Sequence, residues 1–458
     1  MSLRFGTDGV RGPADEFTDD LIAALGEAAT RVLDGSSGFL IACDTRESGP
    51  RLERALAIGI ARGGGLPESL GVVPTPTAAW ASVHRSIPAA VISASHNVWS
   101  DNGIKFFTAG GRKLPDAIEA QLEAQLDEIL AATNSGAADE EVGASGVDEF
   151  ALAHDGALGP WSASLAASIG DRRLGGLRVV IDCANGASSD VAPSLLRALG
   201  AEVDVLHASP NGRNINDACG STHPGDLQQR VIETGADVGL AFDGDADRLL
   251  AVDERGLLVD GDHLLAMFAT DLHSRGGLAG DLVVVTVMTN LGFRIAMSER
   301  GITVVETPVG DRHVLEALAR TGGSLGGEQS GHIVFTEMAT TGDGLLSGIQ
   351  LLDLVHRSAR PFSELAAESM TQLPQVLLNV SVASRGSDFS THFASVMATT
   401  LADDVLAEEQ LLGERGRILI RPSGTEPLVR VMVEAETAEL ADAVARRLAA
   451  KVDEAFPA

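Results

Sequence analysis

Three aspartates, Asp243, Asp245 and Asp247, follow an apolar stretch in the segment FDGDADR (242–248). One small residue separates each from the next, so a tight loop can aim all three carboxylates inward. Carboxylates this close repel one another unless a cation lies between them, and hard oxygen ligands suit Mg²⁺. The segment therefore predicts a metal site. The alternatives are a solvated acidic turn and an EF-hand loop, although Arg248 stands where an EF-hand has glycine and the flanks are strand-like.

A serine, Ser95, lies at the end of another apolar strand pattern in ISASHNVWSDNGIKFF (92–107). Its hydroxyl is expected at a strand terminus, exposed to a cleft, where it needs a base or a metal to become a useful nucleophile. His96 is adjacent, but neighbouring side chains on an extended segment point to opposite faces, which argues against a Ser-His pair. A polar loop with a turn at 102–103 is the alternative.

Two further polar loops carry groups suited to a phosphorylated sugar. In GGEQSGH (326–332), carboxylate and hydroxyl groups suit sugar hydroxyls, and the histidine can exchange a proton near neutral pH. In RPSGTEPLVRVMVE (421–434), backbone N–H groups, hydroxyls and arginines suit a phosphate. A structural histidine and a hairpin with structural arginines are the alternatives. The candidates are Glu328, Gln329, Ser330, His332, Arg421, Ser423, Gly424, Thr425 and Arg430.

Apolar strand patterns alternate with amphipathic helical patterns, such as the one at 186–199. This alternation predicts parallel sheets covered by helices, with ligand loops at the carboxyl ends of the strands. No short-period repeat is evident. The acidic stretch at 130–150 is predicted to be a surface connection. Strands are predicted at 38–44, 88–95, 177–186, 236–245 and 280–290, and domains at 1–152 (serine loop), 153–252 (aspartates), 253–370 (sugar loop) and 371–458 (phosphate loop, α+β).

The charge of the chain limits its partners. Its 458 residues include 34 basic and 64 acidic side chains, a net charge of −30 that repels nucleic acid and acidic membranes. Lysine is scarce, which favours adaptation to a salty cytoplasm; an acidic protein of an ordinary cell is the alternative. Three scattered cysteines suggest neither disulfides nor a zinc site. We expect a cytoplasmic protein, because no signal segment or membrane-spanning stretch is evident.

Taken together, in this order and at these separations, the four segments resemble the α-D-phosphohexomutase superfamily along essentially the full chain. The opening RFGTDGVRG also matches that family. The resemblance implies four domains in a heart-shaped arrangement. Three are α/β domains with mixed or parallel sheets, and the fourth is a smaller α+β C-terminal lid domain. One departure is Val98, which follows ASHN where the family usually has proline.

The resemblance also implies roles for particular residues. Ser95 is the phosphoserine, and together with the three aspartates it binds one Mg²⁺ per chain. Arg11 is expected to approach the phosphoserine, and Lys105 and His332 are the two candidates for general acid or base. Glu328, Gln329 and Ser330 are expected to bind the sugar, and Arg421, Ser423, Gly424, Thr425 and Arg430 the phosphate that does not react.

The implied reaction interconverts hexose 6-phosphate and hexose 1-phosphate through a sugar 1,6-bisphosphate, which also serves as the primer. The segments at 214–224 and 341–350 look most like those of members acting on glucosamine phosphate, and Gln329 stands where phosphomannomutase/phosphoglucomutase enzymes typically have methionine. Mannose or glucose phosphate is the alternative substrate. A metal-dependent phosphatase and a non-catalytic sugar-phosphate sensor are more distant alternatives. A monomer and a homodimer are both compatible with the sequence.

Overall fold

The computed structural model describes residues 5–6, 9–134, 156–382, 389–423 and 427–456. The chain divides into a larger compact unit, residues 1–288 with 302–369, and a smaller one, residues 289–301 with 370–458. Of the predicted connection at 130–150, residues 130–134 end a helix, and the remainder lies outside the described residues. The four predicted domain boundaries stay predictions.

The first sheet of the larger unit has the strand order β1-β5-β4-β2-β3. Strands β2, β3 and β4 are parallel, whereas β5 and β1 are antiparallel additions at one side. Apolar residues fill both faces of the central strands because helices cover the sheet. The elements are β1 (Val10–Pro13), α1 (Asp19–Val32), β2 (Phe39–Cys43), α2 (Gly49–Arg62), β3 (Pro67–Val72), α3 (Thr75–Arg85), β4 (Ala89–Ile92), β5 (Asp101–Phe107) and α4 (Asp116–Asn134).

The second sheet repeats this arrangement with the order β10-β9-β8-β6-β7. Strands β6, β7 and β8 are parallel, and β9 returns antiparallel beside β8. The elements are α5 (Leu158–Ala167), β6 (Arg178–Asp182), α6 (Val191–Ala198), β7 (Glu202–Leu206), α7 (Gly225–Thr234), β8 (Val238–Phe242), β9 (Leu249–Asp253) and β10 (Leu258–Val259).

The third sheet has the order β12-β11-β13-β14, again three parallel strands followed by one antiparallel strand. The elements in this stretch are α8 (Gly261–Ser274), β11 (Leu282–Thr286), α9 (Leu291–Glu299), β12 (Thr303–Thr307), α10 (Asp311–Thr321), β13 (Leu325–Gly327), β14 (Ile333–Phe335), α11 (Gly344–Ser358) and α12 (Phe362–Ser369). Of these, α9 belongs to the smaller unit.

The smaller unit contains an antiparallel sheet in the order β15-β17-β16. Alternate residues of the central strand, Val429, Val431 and Val433, are buried with the apolar face of the last helix. The elements are β15 (Gln375–Ser381), α13 (Phe389–Thr399), α14 (Ala402–Leu412), β16 (Arg417–Pro422), β17 (Leu428–Glu434) and α15 (Ala438–Ala455).

All five predicted buried strands are present, as is the predicted α+β character of the C-terminal part. The larger unit's three sheets are mixed rather than purely parallel, because each adds an antiparallel strand. The predicted helix at 186–199 begins only at Val191. The residues before it make a turn against the aspartate loop, where a Cβ on Gly186 would lie 2.2 Å from the Gly244 carbonyl oxygen. In the part of the chain that the structure describes, no helix combines the length and apolar character needed to cross a membrane.

Candidate active site

Ser95 lies in a tight turn between β4 and β5 and has a left-handed backbone conformation, with φ +51°. Its Oγ donates a hydrogen bond to Asp243 Oδ2 at 2.6 Å and lies 3.3 Å from His96 Nδ1. The sequence argument that His96 points away was wrong, because it assumed an extended backbone. Burial, Arg248 and Arg11 lower the pKa of His96 to about 4, so its imidazole is neutral at pH 7. Ser95 is buried rather than exposed, because the aspartate loop covers its hydroxyl.

The aspartate loop connects the antiparallel strands β8 and β9, and these strand flanks exclude the helix-loop-helix alternative. Oxygens of the buried residues Asp243, Asp245 and Asp247 lie within 4.8 Å of one another. Burial and the two neighbouring carboxylates raise the pKa of Asp243. Asp245 Oδ1 and Asp247 Oδ1 are buried and have no hydrogen-bond partner among the described residues. Two such oxygens beside a serine hydroxyl are a donor set that fits a hard divalent cation.

Lys105 on β5 reaches the aspartate loop from the neighbouring sheet. Its Nζ lies 2.5 Å from Asp245 Oδ2 and 3.3 Å from Asp247 Oδ2. Thr75 at the start of α3 donates its hydroxyl to the same Asp245 oxygen at 2.6 Å. Burial alone would raise the pKa of Asp247, but Lys105 and His332 lower it well below its usual value. The lysine therefore favours the ionised form of a proposed metal ligand.

His332 comes directly before β14 and is buried beside the same loop. Its Nδ1 lies 3.7 Å from Asp247 Oδ1, while its Nε2 accepts the Gly342 N–H at 3.1 Å and lies 3.4 Å from Asp311 Oδ2. Burial lowers the pKa of His332, but the two carboxylates outweigh burial and raise it overall. The Gly342 bond requires an unprotonated Nε2, whereas the Asp247 and Asp311 carboxylates favour a proton on Nδ1 and on Nε2 respectively. His332 thus contacts two carboxylates at this site, and its predicted role as acid or base stays a prediction.

The remaining predicted sugar ligands share the loop that carries His332, but they contact other residues. Glu328 Oε1 accepts the N–H of Gly310 at 3.1 Å, and Gln329 Nε2 donates to Asp260 Oδ2 at 3.2 Å. Ser330 is exposed. Among the described residues, these three side chains form no hydrogen bond to the aspartate loop, and their predicted contact with the sugar stays a prediction.

Arg11 lies on β1, opposite Gly103 of β5. Its positive charge helps to lower the pKa of His96, the residue beside Ser95. Its predicted approach to a phosphoserine stays a prediction.

In the smaller unit, Arg421 and Arg430 face each other directly across β16 and β17. Burial and the charge of Arg430 lower the pKa of Arg421. Ser423 is buried at the end of β16. The two facing guanidinium groups offer donors in the planar arrangement that suits a phosphate. The other predicted members of the loop, Gly424 and Thr425, lie outside the described residues.

Several residues of the site escaped the sequence analysis. Arg248 ends the FDGDADR segment and could have been included on that ground. Thr75, Arg46 and Asp311 are single polar residues without a motif, and Asn216 lies in the segment 214–224, for which no structural role was predicted. Only the folded chain brings these residues to Ser95, Asp245 and His332.

Comparison with known proteins identifies the family. The models for the phosphoglucomutase/phosphomannomutase alpha/beta/alpha domains I, II and III match residues 2–133, 162–256 and 260–373, and the model for the C-terminal domain matches residues 377–451. The chain belongs to the phosphoglucomutase/phosphomannomutase family of phosphohexomutases, which confirms the resemblance noted in the sequence.

Similar proteins span the whole chain. It is 48% identical to the phosphoglucosamine mutase of Desulforudis audaxviator, over 99% of this chain and 98% of that protein. It is 47% identical to the phosphoglucosamine mutase of Salinispora tropica over the full length of both. Among solved structures, a phosphoglucomutase/phosphomannomutase family protein from Burkholderia thailandensis matches with a TM-score of 0.77 and 24% identity, over 98% and 97% of the two chains, and supports the fold.

Proposed function

We propose that the chain interconverts glucosamine 6-phosphate and glucosamine 1-phosphate through a phosphorylated Ser95 and a sugar 1,6-bisphosphate. The observation that carries the chemistry is the 2.6 Å bond from the Ser95 hydroxyl to Asp243, within a buried group of three carboxylates. The choice of glucosamine is supported by full-length relatives, 46–49% identical, that bear the name phosphoglucosamine mutase.

We propose that Asp243, Asp245 and Asp247 hold one Mg²⁺ ion, with Ser95 as a further ligand. The ion neutralises charge on the transferred phosphoryl group when it is bound. Asp245 Oδ1 and Asp247 Oδ1 are buried without a hydrogen-bond partner among the described residues, and the nearest basic groups to Asp247 Oδ1, His332 Nδ1 and Arg248 Nε, lie at 3.7 Å and 3.8 Å. Both oxygens are therefore available to a cation, which supports this assignment.

In the proposed forward step, the bond between phosphorus and Ser95 Oγ breaks and a bond from phosphorus to a sugar hydroxyl oxygen forms. The proton of that hydroxyl passes to a base, and the return step reverses these changes at the other phosphate. His332 and Lys105 are the two proposed acid or base groups, because both lie against Asp247 at the edge of the carboxylate group.

The substrate must bind in two orientations, because each end reacts in turn. We propose that Arg421 and Arg430, with Ser423, Gly424 and Thr425, hold the phosphate that is not reacting, as the facing guanidinium pair suggests. Glu328, Gln329 and Ser330 are proposed to bind the sugar hydroxyl or amino groups. Arg11 is proposed to bind the phosphoserine.

A coupled mutase assay tests this function. The 6-phosphates of glucosamine, mannose and glucose are compared with Mg²⁺ and a trace of the matching bisphosphate, and Ser95→Ala serves as the control. We expect a preference for glucosamine 6-phosphate that is lost in Ser95→Ala. A preference for mannose or glucose would overturn the substrate assignment. Release of inorganic phosphate without isomerisation, or full activity of Ser95→Ala, would overturn the mutase mechanism.

We further propose that the enzyme works in a salty cytoplasm without nucleic-acid or membrane partners. Its net charge of −30 supports this, and its three cysteines are free and buried, as a reducing compartment allows.

A further inference from the structure

The nucleophile is held in a backbone conformation that serine rarely adopts. Ser95 has φ +51°, in the left-handed region where the side chain of an L-residue crowds its own backbone. A residue that is neither glycine nor asparagine stays there only when its surroundings impose the conformation, and such residues cluster at functional sites. The groups that hold the Ser95 peptide therefore matter for its chemistry.

Both ends of Ser95 are tied to named side chains. Its N–H donates to Ser93 Oγ at 2.9 Å. Its carbonyl oxygen accepts from Asn216 Nδ2 at 2.8 Å and from Arg46 Nη2 at 3.2 Å. The same two groups also bind the carbonyl oxygen of Asn97, at 2.8 Å and 2.6 Å. The Asn216 and Arg46 side chains therefore each donate to the carbonyl oxygens of both Ser95 and Asn97. We call this pair of side chains the clamp.

The two side chains of the clamp, Arg46 and Asn216, are themselves held in place. Arg46 is 1% exposed and ion-paired with the buried carboxylate of Asp44. Asn216 is also buried, and it comes from the loop after β7, so it reaches the serine turn from the neighbouring sheet. The aspartate loop closes over this contact at Gly244, where a Cβ would lie 2.6 Å from the Ser95 oxygen and 2.9 Å from Asn216 Nδ2.

We propose that Arg46 and Asn216 are positioning residues that impose the left-handed conformation on Ser95. That conformation directs Oγ toward Asp243 and sets the direction in which the phosphoryl group leaves and returns. Without the clamp, Ser95 relaxes to negative φ and its hydroxyl turns away from the carboxylates. The inference rests on the proposed function only in taking Ser95 as the phosphoryl carrier.

Two substitutions of Asn216 separate a hydrogen-bonding role from a space-filling one. Asn216→Ala removes the donor, whereas Asn216→Asp keeps the shape but sets carboxylate oxygens against two carbonyl oxygens. Asn214→Ala is the matched control, since the Asn214 amide lies in the same loop and bonds to the Ser209 carbonyl at 3.1 Å, with no described bond to the serine turn. Arg46→Lys keeps a charge beside Asp44 but loses the planar fork.

In the coupled assay, we expect Asn216→Ala to lower kcat about 10- to 100-fold with KM within about threefold, because it misplaces a reacting atom rather than a substrate contact. Asn216→Asp should lose at least as much, Arg46→Lys should also lose kcat, and Asn214→Ala should stay within about twofold of wild type. Wild-type kcat in both Asn216 variants would overturn the proposal.

Crystal structures of the Asn216 variants give a readout that needs no activity. We expect Ser95 φ to become negative and the bond from Oγ to Asp243 to break. Ser95 retained near φ +51° in both variants would overturn the clamp, whatever the assay shows. If the wild type isomerises no hexose phosphate, the proposed function fails instead, and the backbone angle still decides this inference.

Discussion

The buried carboxyl group of Asp343 leads to a prediction about how the stability of the protein depends on pH. Asp343 caps the N-terminus of α11, where its Oδ1 accepts the Leu346 N–H at 2.9 Å. Burial raises the pKa of this carboxyl group from 3.8 to about 7. The folded chain therefore binds the Asp343 proton more tightly than the unfolded chain does.

The sign and size of the effect follow by linkage. Because the pKa is raised, stability from this group is complete below about pH 4 and is lost as pH rises toward 7. About three pKa units at about 1.4 kcal/mol each set an upper limit of about 4 kcal/mol. Asp343→Asn keeps the acceptor for the helix N-terminus but carries no charge, so its advantage over wild type should grow across this range.

Calorimetric melting at fixed salt, in steps from pH 5 to pH 8, measures the difference. We expect the Tm of Asp343→Asn to gain up to about 5 °C on wild type, at about 1–2 °C per kcal/mol for a unit of this size. Asp260→Asn is the matched control of opposite sign. Asp260 caps α8, and although burial raises its pKa, the hydrogen bond and charge of His263 lower it overall. This control should lose stability at pH 8.

A Tm difference for Asp343→Asn that stays constant from pH 5 to pH 8 would refute the reasoning. So would a variant less stable than wild type at pH 8. Either result would mean that the folded protein does not disfavour the ionised form of Asp343, whose charge would then stabilise the helix N-terminus.

Three further predictions concern the site, the smaller unit and the surface. Gly342→Ala puts a Cβ within 2.5–2.7 Å of the His332 ring. We expect kcat to fall at least about 10-fold in the coupled assay, with an unchanged circular dichroism spectrum, because the ring is displaced. A wild-type kcat would exclude a catalytic role for the position of the ring. Glu434→Gln leaves Arg417 without its buried carboxylate partner at 3.0 Å. We expect the free energy of unfolding in urea to fall by about 3 kcal/mol. A decrease of less than about 1 kcal/mol would contradict this expectation. Raising KCl from about 0.1 M to about 2 M should raise the Tm, because salt screens the repulsion of the −30 net charge, and a falling Tm would count against high-salt adaptation.

The sequence was informative where the chemistry is local. The three aspartates lie within five residues, and Ser95 ends a visible strand, so type and spacing sufficed to predict both loops. The two side chains that hold the Ser95 carbonyl were not predicted, because Arg46 and Asn216 are 49 and 121 residues away along the chain. Asn216 does lie in the segment 214–224, but that segment was noted only for its resemblance to members acting on glucosamine phosphate. Long-range contacts of single polar residues have no periodicity to detect.

The error over His96 has a physical cause. Alternation of side chains holds only while the backbone is extended, and Ser95 interrupts it with a left-handed residue. Left-handed residues in turns are usually glycine or asparagine, which are easily recognised in a sequence, whereas here the left-handed residue is Ser95, the proposed nucleophile. A strained functional residue is therefore a place where local rules of sequence reading fail.

The three loops of the site occupy the same place in three sheets. Each connects the third parallel strand to its antiparallel neighbour: β4 to β5 for Ser95, β8 to β9 for the aspartates, and β13 to β14 for His332. An antiparallel pair fixes both ends of a short loop about 5 Å apart, so these side chains sit on rigid supports. The order and direction of the strands repeat, whereas the residues do not. The sequence therefore showed no repeat, although the fold positions a loop of the site in the same way in three sheets.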